Sequence, residues 1–498
     1  MKLLDVMASA ADASALATAA GETEVTALAY DNRKVQPGTL FFCVPGYTRD
    51  GHDFAPDAVE RGASALVVER PLGLGVPEVL VPSVRAAMAP AAAAFHGRPS
   101  EQLAVVGVTG TNGKTTTAFL VRALLEAAGR QTGLLGTVTA VVGGAEREVQ
   151  RTTAEAIELQ RDLAEMRDGG DVAAGIEVSS HALRLHRADA TRFAAAIFTN
   201  LTQDHLDFHP SMDDYYAAKR LLFLPEQGER PGVAVVNVDD AYGARLAQEL
   251  RAAGSEVVTI AIEADADWRA SDLRTGLTGS TFTARTPEGE IELRTPLPGR
   301  FNVQNVLGAI AAVRALGVPL AEIAAALPAA GRVPGRFEPV DEGQEFAVLV
   351  DYAHTPDSLD NVLQAARGLT ENRVLTVFGC GGDRDRGKRR LMGGIAARLA
   401  DEAYVTSDNP RSEDPEQILR DVVEGTGTGP HVHVEVDRRK AIHQAVAAAA
   451  PGDVVVIAGK GHEQGQEFAG GEKLPFDDVT VAREALRARL GGSEDRAA

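Results

Sequence analysis

The stretch LAVVGVTGTNGKTTT, residues 103–117, decides the fold of the region around it. Leu103 to Thr109 is an apolar run that predicts a buried strand, and the glycine-containing loop Gly110 to Thr116 follows it directly. A helix is predicted next, because apolar residues recur at helical spacing until Gly129 ends the pattern. In this strand, loop and helix order, backbone N–H groups can cradle phosphates while Lys114 neutralises their charge.

The loop departs from the general phosphate-loop pattern, because Val108 stands where its first glycine is expected. One alternative is a glycine-rich turn that binds no ligand. A second is a nucleotide switch or a transport ATPase, since both use the same loop. Nucleotide hydrolysis that needs no second substrate would favour that alternative.

Strand-like runs that follow this unit alternate with helical segments. They lie at residues 172–178, 194–199 and 232–238, and again at 347–350, 374–378, 403–406 and 454–457. This alternation predicts an α/β protein with mainly parallel sheets covered on both faces. Turn-forming breaks at Gly97–Ser100 and Arg332–Gly335 divide the chain into three domains. We expect a small α/β domain at 1–98, a central phosphate-loop domain at 99–333 and a Rossmann-like domain at 334–498.

Composition excludes several classes of protein. The formal net charge of −20 argues against a nucleic-acid-binding surface. The sequence contains no run of about twenty apolar residues, so we expect a cytoplasmic protein without membrane insertion. Cys43 and Cys380 are the only cysteines, which supports neither a disulfide framework nor a thiolate metal site. A Rossmann dehydrogenase is poorly supported, because no G-x-G-x-x-G opens a strand–helix unit.

Acidic and histidine residues follow two of the predicted central strands. Glu177 ends one strand, and His205 comes shortly after the next, beside Asp204 and Asp207. Because ligands gather at the carboxyl ends of parallel strands, these side chains are candidates for a metal site. A hydrogen-bonded structural histidine is the alternative for His205. Pattern alone describes Lys219 as a surface lysine on a helix.

Eleven motifs in order resemble the Mur ligase family. They are DNRKVQPGTLFF (31–42), GTNGKTT (110–116), RTTAEA (151–156), EVSSHAL (177–183), FTNLTQDHLDFH (198–209), YYAAKRLLF (215–223), GRFNVQN (299–305), DYAHTPDSL (351–359), FGCGGDRDRGKR (378–389), DNPRSEDP (408–415) and GKGHE (459–463). They span nearly the whole chain. Asn32 replaces a common serine and Ala154 a common proline.

The resemblance implies an ATP-dependent ligase that forms an amide bond through an acyl phosphate, with Mg²⁺ as cofactor and three substrate-binding domains. It implies that Lys219 is carbamylated and becomes an anionic oxygen ligand. The implied catalytic residues are Lys114, Glu177, His205 and Lys219, and the implied metal ligands are Thr115, Glu177, His205 and carbamylated Lys219. ATP would contact Gly110, Thr111, Asn112, Gly113, Lys114, Thr115 and Thr116, with Asn302, Asn305, Arg336 and Asp351 toward its adenosine end.

The resemblance also assigns the other two substrates. UDP-N-acetylmuramoyl-L-alanyl-D-glutamate would be bound by Asn32, Tyr47, Thr48, Thr152, Thr153, Ser179 and Arg187. The incoming amino acid would be bound by Arg384, Asp408, Asn409, Arg411, Gly459 and Glu463. Arg411 favours meso-diaminopimelate, because the second carboxylate of that amino acid suits a planar bidentate cation.

Three alternatives stay open at this point. L-lysine or another diamino acid could replace meso-diaminopimelate in the same reaction, and Arg411 could be a solvated loop arginine. A ligase similar to folylpolyglutamate synthetase is a more distant alternative, in which DNRKVQPG and DNPR would have no evident purpose. We expect the protein to act as a monomer.

Overall fold

The computed structural model describes residues 1–11, 21–46, 49–226 and 228–497 of the chain. Three large sheets follow one another along the sequence, with four, eleven and six strands. This architecture confirms the predicted α/β class with its three sheets. Within the described residues, no helix is long and apolar enough to cross a lipid bilayer.

The first sheet is parallel throughout, in the order β1-β2-β3-β4. Leu40, Phe42 and Val67 on one face pack with Met88 and with residues of the first helix. The elements are α1 (Leu3–Met7), β1 (Ala27–Ala29), β2 (Thr39–Phe42), α2 (Ala55–Glu60), β3 (Ala63–Val68), β4 (Glu78–Leu80) and α3 (Val84–Phe95), with 3₁₀ turns at Asn32–Lys34, Gly51–Phe54 and Pro99–Glu101.

The second sheet has the order β15-β14-β13-β12-β11-β10-β5-β9-β6-β7-β8. Its parallel centre runs from β13 to β6. The elements are β5 (Ala104–Thr109), α4 (Lys114–Ala127), β6 (Thr132–Leu135), β7 (Ala140–Val142), β8 (Ala145–Arg147), α5 (Ala156–Asp168), β9 (Ala173–Glu177), α6 (Ser180–Arg184), β10 (Ala195–Phe198), α7 (Met212–Arg220), β11 (Val233–Asn237), α8 (Ala241–Ala252), β12 (Val257–Ala261), β13 (Trp268–Gly276), β14 (Gly279–Thr286), β15 (Gly289–Thr295), α9 (Arg300–Ala315) and α10 (Leu320–Ala326), followed by a 3₁₀ turn at Leu327–Ala329.

Antiparallel strands extend this sheet at both ends, and the sequence analysis did not predict them. In β14, only alternate residues such as Phe282 and Ala284 are buried. A strand that buries one face lacks the continuous apolar run that marks the parallel strands. The search for such runs therefore missed it.

The third sheet has the order β16-β17-β21-β18-β19-β20, and all its pairs are parallel except β16 with β17. Separate apolar clusters cover its two faces, as expected of a Rossmann-like domain. The elements are β16 (Glu338–Pro339), β17 (Ala347–Asp351), α11 (Pro356–Arg367), β18 (Val374–Phe378), α12 (Gly387–Leu399), β19 (Glu402–Val405), α13 (Pro415–Thr426), β20 (Val432–Val434), α14 (Arg438–Ala448), β21 (Val454–Ala458), β22 (Gln466–Glu467), β23 (Lys473–Leu474) and α15 (Asp478–Ala497), with a 3₁₀ turn at Ala469–Gly471.

The sheets place the sequence motifs at strand ends. In the central sheet β5 and β9 end at Thr109 and Glu177, and in the third sheet β17 and β21 end at Asp351 and Ala458. The loops that follow parallel strands emerge on one edge of a sheet, which is where α/β proteins bind ligands. The domain limits at residues 98 and 333 stay predictions.

Candidate functional site

The phosphate loop joins β5 to α4, as its sequence predicts. Gly113 has φ +87°, and a Cβ atom there would lie 2.3 Å from the side-chain oxygen of Asn305. Lys114 Nζ turns back and donates to the carbonyl oxygens of Gly110 and Thr111, each at 2.9 Å. Burial lowers the pKa of Lys114. The loop therefore holds one desolvated cation at the start of a helix, which is a favourable arrangement for an anion.

Thr115 and Glu177 form the next part of the site. Thr115 Oγ1 donates to Glu177 Oε2 at 3.0 Å and accepts from Arg336 Nη2 at 3.0 Å. Glu177 is almost fully buried and also accepts from the backbone N–H and the hydroxyl of Thr137. Arg336 thus lies beside the phosphate loop, although it comes from the segment that leads into the third domain. Sequence reasoning missed Thr137, which no motif contained.

Lys219 is not the surface lysine that its pattern suggests. Its side chain is buried on α7, and Nζ donates to the carbonyl oxygen of Gly110 at 2.8 Å. The same nitrogen lies 4.6 Å from the ring centroid of Tyr215. Burial, together with the charge of Lys114, lowers the pKa of Lys219 well below its usual value. Burial therefore favours the neutral, nucleophilic form of this amine more than it is favoured in an exposed lysine.

His205 adopts a left-handed backbone with φ +54°, which is uncommon outside glycine. Its Nε2 lies 3.3 Å from Asp204 Oδ2, and its ring centroid lies 4.8 Å from that of His181. Burial lowers the pKa of His205 to about 3 and that of His181 to about 4. Both imidazoles are neutral near pH 7, the form that coordinates metals. His181 was missed, although EVSSH places it just after β9.

Side chains near the phosphate loop offer donors for a metal ion. Over the described ranges, no cluster of three or more His, Cys, Asp or Glu side chains could hold a metal ion. Mg²⁺ usually keeps several waters and binds one or two carboxylates together with substrate phosphates, so it does not need such a cluster. The Thr115 hydroxyl and the Glu177 carboxylate line one cleft and are oxygen donors that fit Mg²⁺, and neutral His205 lines the same cleft.

A second group of predicted residues lies on the neighbouring wall. Thr153 Oγ1 donates to the carbonyl oxygen of Glu177 at 2.8 Å and accepts from Ser179 N at 3.1 Å. Arg187 contacts Glu155 at 2.9 Å, and Arg151 contacts the same carboxylate at 3.0 Å. Arg151 and Glu155 were missed as site residues, although RTTAEA contains both.

Asn32, which is predicted to contact the same substrate, does not line this wall. Asn32 is in the N-terminal domain, where its Nδ2 donates to Asp57 at 2.7 Å. Tyr47 and Thr48 lie outside the described residues.

The residues predicted for the adenosine end occupy the opposite wall of the loop. Asn305 Nδ2 donates to Asn302 Oδ1 at 3.2 Å, and Asn302 Nδ2 donates to Pro298 O at 2.8 Å. Asp351 Oδ2 accepts from Phe337 N at 2.6 Å, and burial raises the pKa of Asp351 to about 6.

In the C-terminal domain, Lys460 is the centre of a buried polar cluster that sequence reasoning did not single out. Its Nζ donates to Asn409 Oδ1 at 2.8 Å and to Glu463 Oε2 at 3.1 Å, and it lies 3.4 Å from Asp408 Oδ1. Behind it, Gly459 has φ +125°, and a Cβ there would lie 3.3 Å from Asp408. Lys460 therefore fixes three of the residues predicted to contact the amino acid. GKGHE contains it, so the motif was the available signal.

Arg411 has a left-handed backbone with φ +51°. Its Nη1 donates to the carbonyl oxygen of Gly382 at 2.9 Å, and its Nε donates to Glu467 at 2.9 Å. The loop that carries Arg411 is held from below by Arg389, whose fully buried guanidinium contacts Glu413 and Asp421, each at 2.8 Å.

One cleft of about 750 Å³ brings most of the predicted residues together. Tyr352 also lines it, and the Tyr352 hydroxyl donates to Glu463 at 3.3 Å, which links the cleft to the Lys460 cluster. The predicted residues that line the cleft are Thr111, Asn112, Gly113, Lys114, Thr115, Thr116, Thr152, Thr153, Glu177, Ser179, Arg187, His205, Asn305, Arg336, Asp351 and Arg384. Outside this lining are Asn32, Gly110, Lys219, Asn302, Asp408, Asn409, Arg411, Gly459 and Glu463.

Comparison with known proteins gives three consecutive domain matches. Residues 24–102 match the catalytic domain of the Mur ligase family, residues 108–313 match the Mur ligase middle domain, and residues 335–461 match the Mur ligase glutamate ligase domain.

Similarity to individual proteins extends over nearly the full length. A relative from Geobacillus thermodenitrificans, described as a UDP-N-acetylmuramoyl-L-alanyl-D-glutamate–2,6-diaminopimelate ligase, is 48% identical over 94% of this chain and 96% of its own. A relative from Streptomyces coelicolor with the same description is 47% identical over 97% of both chains.

Solved structures agree with this similarity. A structure with the same ligase description has a TM-score of 0.70 at 34% identity, and covers 98% of this chain and 99% of its own. A folylpolyglutamate synthase of Mycobacterium tuberculosis, complexed with ADP and AMPPCP, has a TM-score of 0.63 at 19% identity over 81% of this chain and 95% of its own. At that identity the likeness concerns the fold alone.

Proposed function

This chain belongs to the Mur ligase family of ATP-dependent amide-bond-forming enzymes, and on that premise we propose that it joins meso-diaminopimelate to UDP-N-acetylmuramoyl-L-alanyl-D-glutamate. The product would be a precursor of peptidoglycan. The observation that carries the proposal is the cleft itself, because residues predicted to contact ATP and the muramoyl dipeptide line it together with Arg384, one of the residues predicted to contact the amino acid. A ligase needs such a cleft, since three substrates must meet at one point.

The choice of meso-diaminopimelate rests on Arg411. Its guanidinium contacts Glu467, whose backbone N–H donates to Asn409, and Asn409 in turn accepts from Lys460 of the buried cluster. An arginine at this position suits a second carboxylate on the incoming amino acid, which L-lysine lacks. The names of the relatives from Geobacillus and Streptomyces support the same choice.

The reaction must activate a carboxylate, which is a poor electrophile at neutral pH. Transfer of the γ-phosphoryl group of ATP to the D-glutamate carboxylate gives an acyl phosphate, and attack by the amine then expels phosphate. Lys114 and the loop N–H groups would stabilise the charge spread over the transferring phosphoryl group. Arg336 would add a second cation, because it contacts Thr115 at the mouth of the loop. Arg187 and Thr153 would hold the dipeptide next to Glu177.

Mg²⁺ would be held by Thr115, Glu177 and His205, together with Lys219 after carbamylation. When bound, the ion neutralises phosphate charge and orients the γ-phosphoryl group. The environment of Lys219 supports the carbamate, because burial lowers its pKa and so raises the fraction of neutral amine, the form that reacts with carbon dioxide. The base that deprotonates the attacking amine is not assigned. His205 and His354 are the candidates, and burial lowers the pKa of both.

We place this reaction in the cytoplasm, where ATP and nucleotide-linked sugars are available. We propose that the protein acts as a monomer.

The decisive experiment is a product assay. The purified protein is incubated with ATP, Mg²⁺, UDP-muramoyl-alanyl-glutamate and a panel of diamino acids, and the product is identified by mass. We expect one amide product with meso-diaminopimelate and phosphate release that depends on both co-substrates. Full-rate phosphate release without the dipeptide or without the amino acid would contradict a ligase.

The specificity of the site is tested with Arg411→Ala. Loss of a charge-assisted hydrogen bond of about 1.5–3 kcal/mol should raise the KM for meso-diaminopimelate about 10- to 100-fold. The KM for L-lysine should not rise to the same extent, because L-lysine has no second carboxylate to contact Arg411. The matched control is Arg420→Ala, which removes an arginine from the exposed face of the neighbouring helix α13. An unchanged KM in Arg411→Ala would remove the argument for meso-diaminopimelate.

A further inference from the structure

The guanidinium of Arg411 is already occupied by a carboxylate of the chain itself. Arg411 Nε donates to Glu467 Oε2 at 2.9 Å. The side chain of Arg411 is 26% exposed and that of Glu467 is 44% exposed, so solvent reaches the pair. The carboxylate thus contacts the cation that we assign to the second carboxylate of the substrate.

The backbone around Glu467 is fixed independently of this side-chain contact. Glu467 N donates to Asn409 Oδ1 at 3.0 Å, and Arg411 N donates to Glu467 O at 3.0 Å. The short hairpin of β22 and β23 continues from this point. The Glu467 carboxylate can therefore swing away from Arg411 while the hairpin stays attached to the loop of Asn409 and Arg411.

We propose that Glu467 is a specificity-determining residue whose carboxylate stands in for the second carboxylate of the amino acid and is displaced when that substrate binds. The proposal rests on the assignment of meso-diaminopimelate as substrate. Exposed ion pairs are worth about 0–1 kcal/mol, so substrate can displace this one. The nearby pair of Arg389 with Glu413 is unsuited to such exchange, because Arg389 is fully buried and has two acidic partners.

Glu467 then acts as an internal competitor, and its effect depends on the charge of the incoming side chain. It weakens the binding of an amino acid that brings a carboxylate to Arg411. For L-lysine, whose distal end is cationic, it screens the positive charge of Arg411 and reduces repulsion. Removing the charge of Glu467 should therefore favour meso-diaminopimelate and disfavour L-lysine.

The test is Glu467→Gln, which keeps an oxygen that can accept from Arg411 but removes the negative charge. We expect the KM for meso-diaminopimelate to fall about two- to fivefold, which corresponds to an exposed ion pair. The KM for L-lysine should stay the same or rise. The matched control is Glu472→Gln on the same hairpin, since Glu472 is also exposed and its backbone carbonyl, not its side chain, makes the hairpin contact to Phe468. It should leave both KM values unchanged.

A double-mutant cycle with Arg411→Ala identifies the route of the effect. In the Arg411→Ala background, Glu467→Gln should no longer change the KM for meso-diaminopimelate, because the two side chains act on each other. A rise in this KM in the single variant, an equal fall in the Glu472→Gln control, or a fall that persists without Arg411 would each overturn the proposal. Wild-type turnover of meso-diaminopimelate, measured alongside, tests the proposed function separately.

Discussion

The phosphate loop of the central domain comes from one uninterrupted stretch of chain, whereas the pocket around Arg411 and Glu463 is assembled from separate segments of the C-terminal domain. In the loop, Lys114 and the carbonyl oxygens that it contacts lie within seven residues of one another. In the pocket, buried charges such as Lys460 and Arg438 hold the segments together from behind. A contiguous site should lose activity when its own residues are replaced. An assembled site should also lose activity when the buried residues that hold its segments together are replaced.

Lys219 is one of several residues outside the loop that contact it, and its replacement should have the largest effect. Lys219→Ala removes the amine that contacts Gly110 and, with it, the proposed carbamate. We expect kcat to fall about 100- to 1,000-fold, as when a group that stabilises transition-state charge is lost. Steady-state phosphate release measures it.

Added short carboxylic acids should restore part of the Lys219→Ala activity, because they can occupy the place of the carbamate. Arg220→Ala is the control, since Arg220 is the next residue of α7 and contacts Glu249 on the surface. Normal activity in Lys219→Ala, or a folded inactive variant without rescue, would contradict a carbamate at this position.

The assembled site should be most sensitive at the Arg438–Asp478 pair. Both side chains are fully buried, with 2.7 Å between Arg438 Nη2 and Asp478 Oδ2, and Arg438 also donates to the carbonyl oxygen of Ala458, next to Gly459. Arg438→Met leaves a buried carboxylate unpaired and should lower the free energy of unfolding by about 3–5 kcal/mol. Urea denaturation measures this loss.

The double variant Arg438→Met with Asp478→Asn separates the contribution of the ion pair to stability from the contribution of side-chain packing. It removes the unpaired charge and should recover at least half of the lost stability. A double variant as unstable as the single one would mean that Arg438 supports the pocket through its bulk. The comparison with the phosphate loop would then rest on packing instead of charge.

The contrast between the two sites also explains what the sequence could predict. The strand, loop and helix of residues 103–129 are encoded locally, by an apolar run, glycines and helical spacing, and the structure reproduces them. The same holds for the parallel strands β9, β10, β17 and β21. The half-buried strands β13 to β15 were missed because alternate burial leaves no apolar run.

The predictability of the site residues also depends on whether their contacts are local in sequence. Lys219 could not be distinguished from a surface lysine by its pattern, since its burial depends on packing against Gly110, more than one hundred residues away. Lys460, Arg438 and Glu467 were missed because their partners lie on other segments. Only the family resemblance predicted a role for residues such as Arg411, whose contacts depend on three-dimensional assembly.

The next largest effect is expected from a substitution that strains the backbone of the phosphate loop. Gly113→Ala forces an alanine into φ +87° and brings its Cβ toward Asn305. We expect the KM for ATP to rise about tenfold, because left-handed strain alone costs about 1–2 kcal/mol. Gly129→Ala is the matched control. It has φ +74°, with open space around the new Cβ. If both variants raise the KM for ATP equally, backbone strain in the strand, loop and helix of residues 103–129 explains the effect. The close approach of the new Cβ to Asn305 then contributes nothing.

The smallest expected effect concerns the support beneath Arg411. Arg389 and a backbone N–H lower the pKa of Glu413 to about 2, below the value of about 4.5 that it would have in the unfolded chain. The native state therefore binds fewer protons than the unfolded state between these values, so this contact stabilises the protein above pH 4.5 and is lost as the pH falls toward 2.

Glu413→Gln should lower Tm by about 2–4 °C at pH 7, and the difference from wild type should shrink as the pH falls below 4.5. Glu416→Gln, an exposed carboxylate on the same segment, should show no such dependence. A Tm difference that stays constant down to pH 3 would mean that the charge of Glu413 does not hold the loop, and the pocket would then resemble the phosphate loop in relying on its backbone.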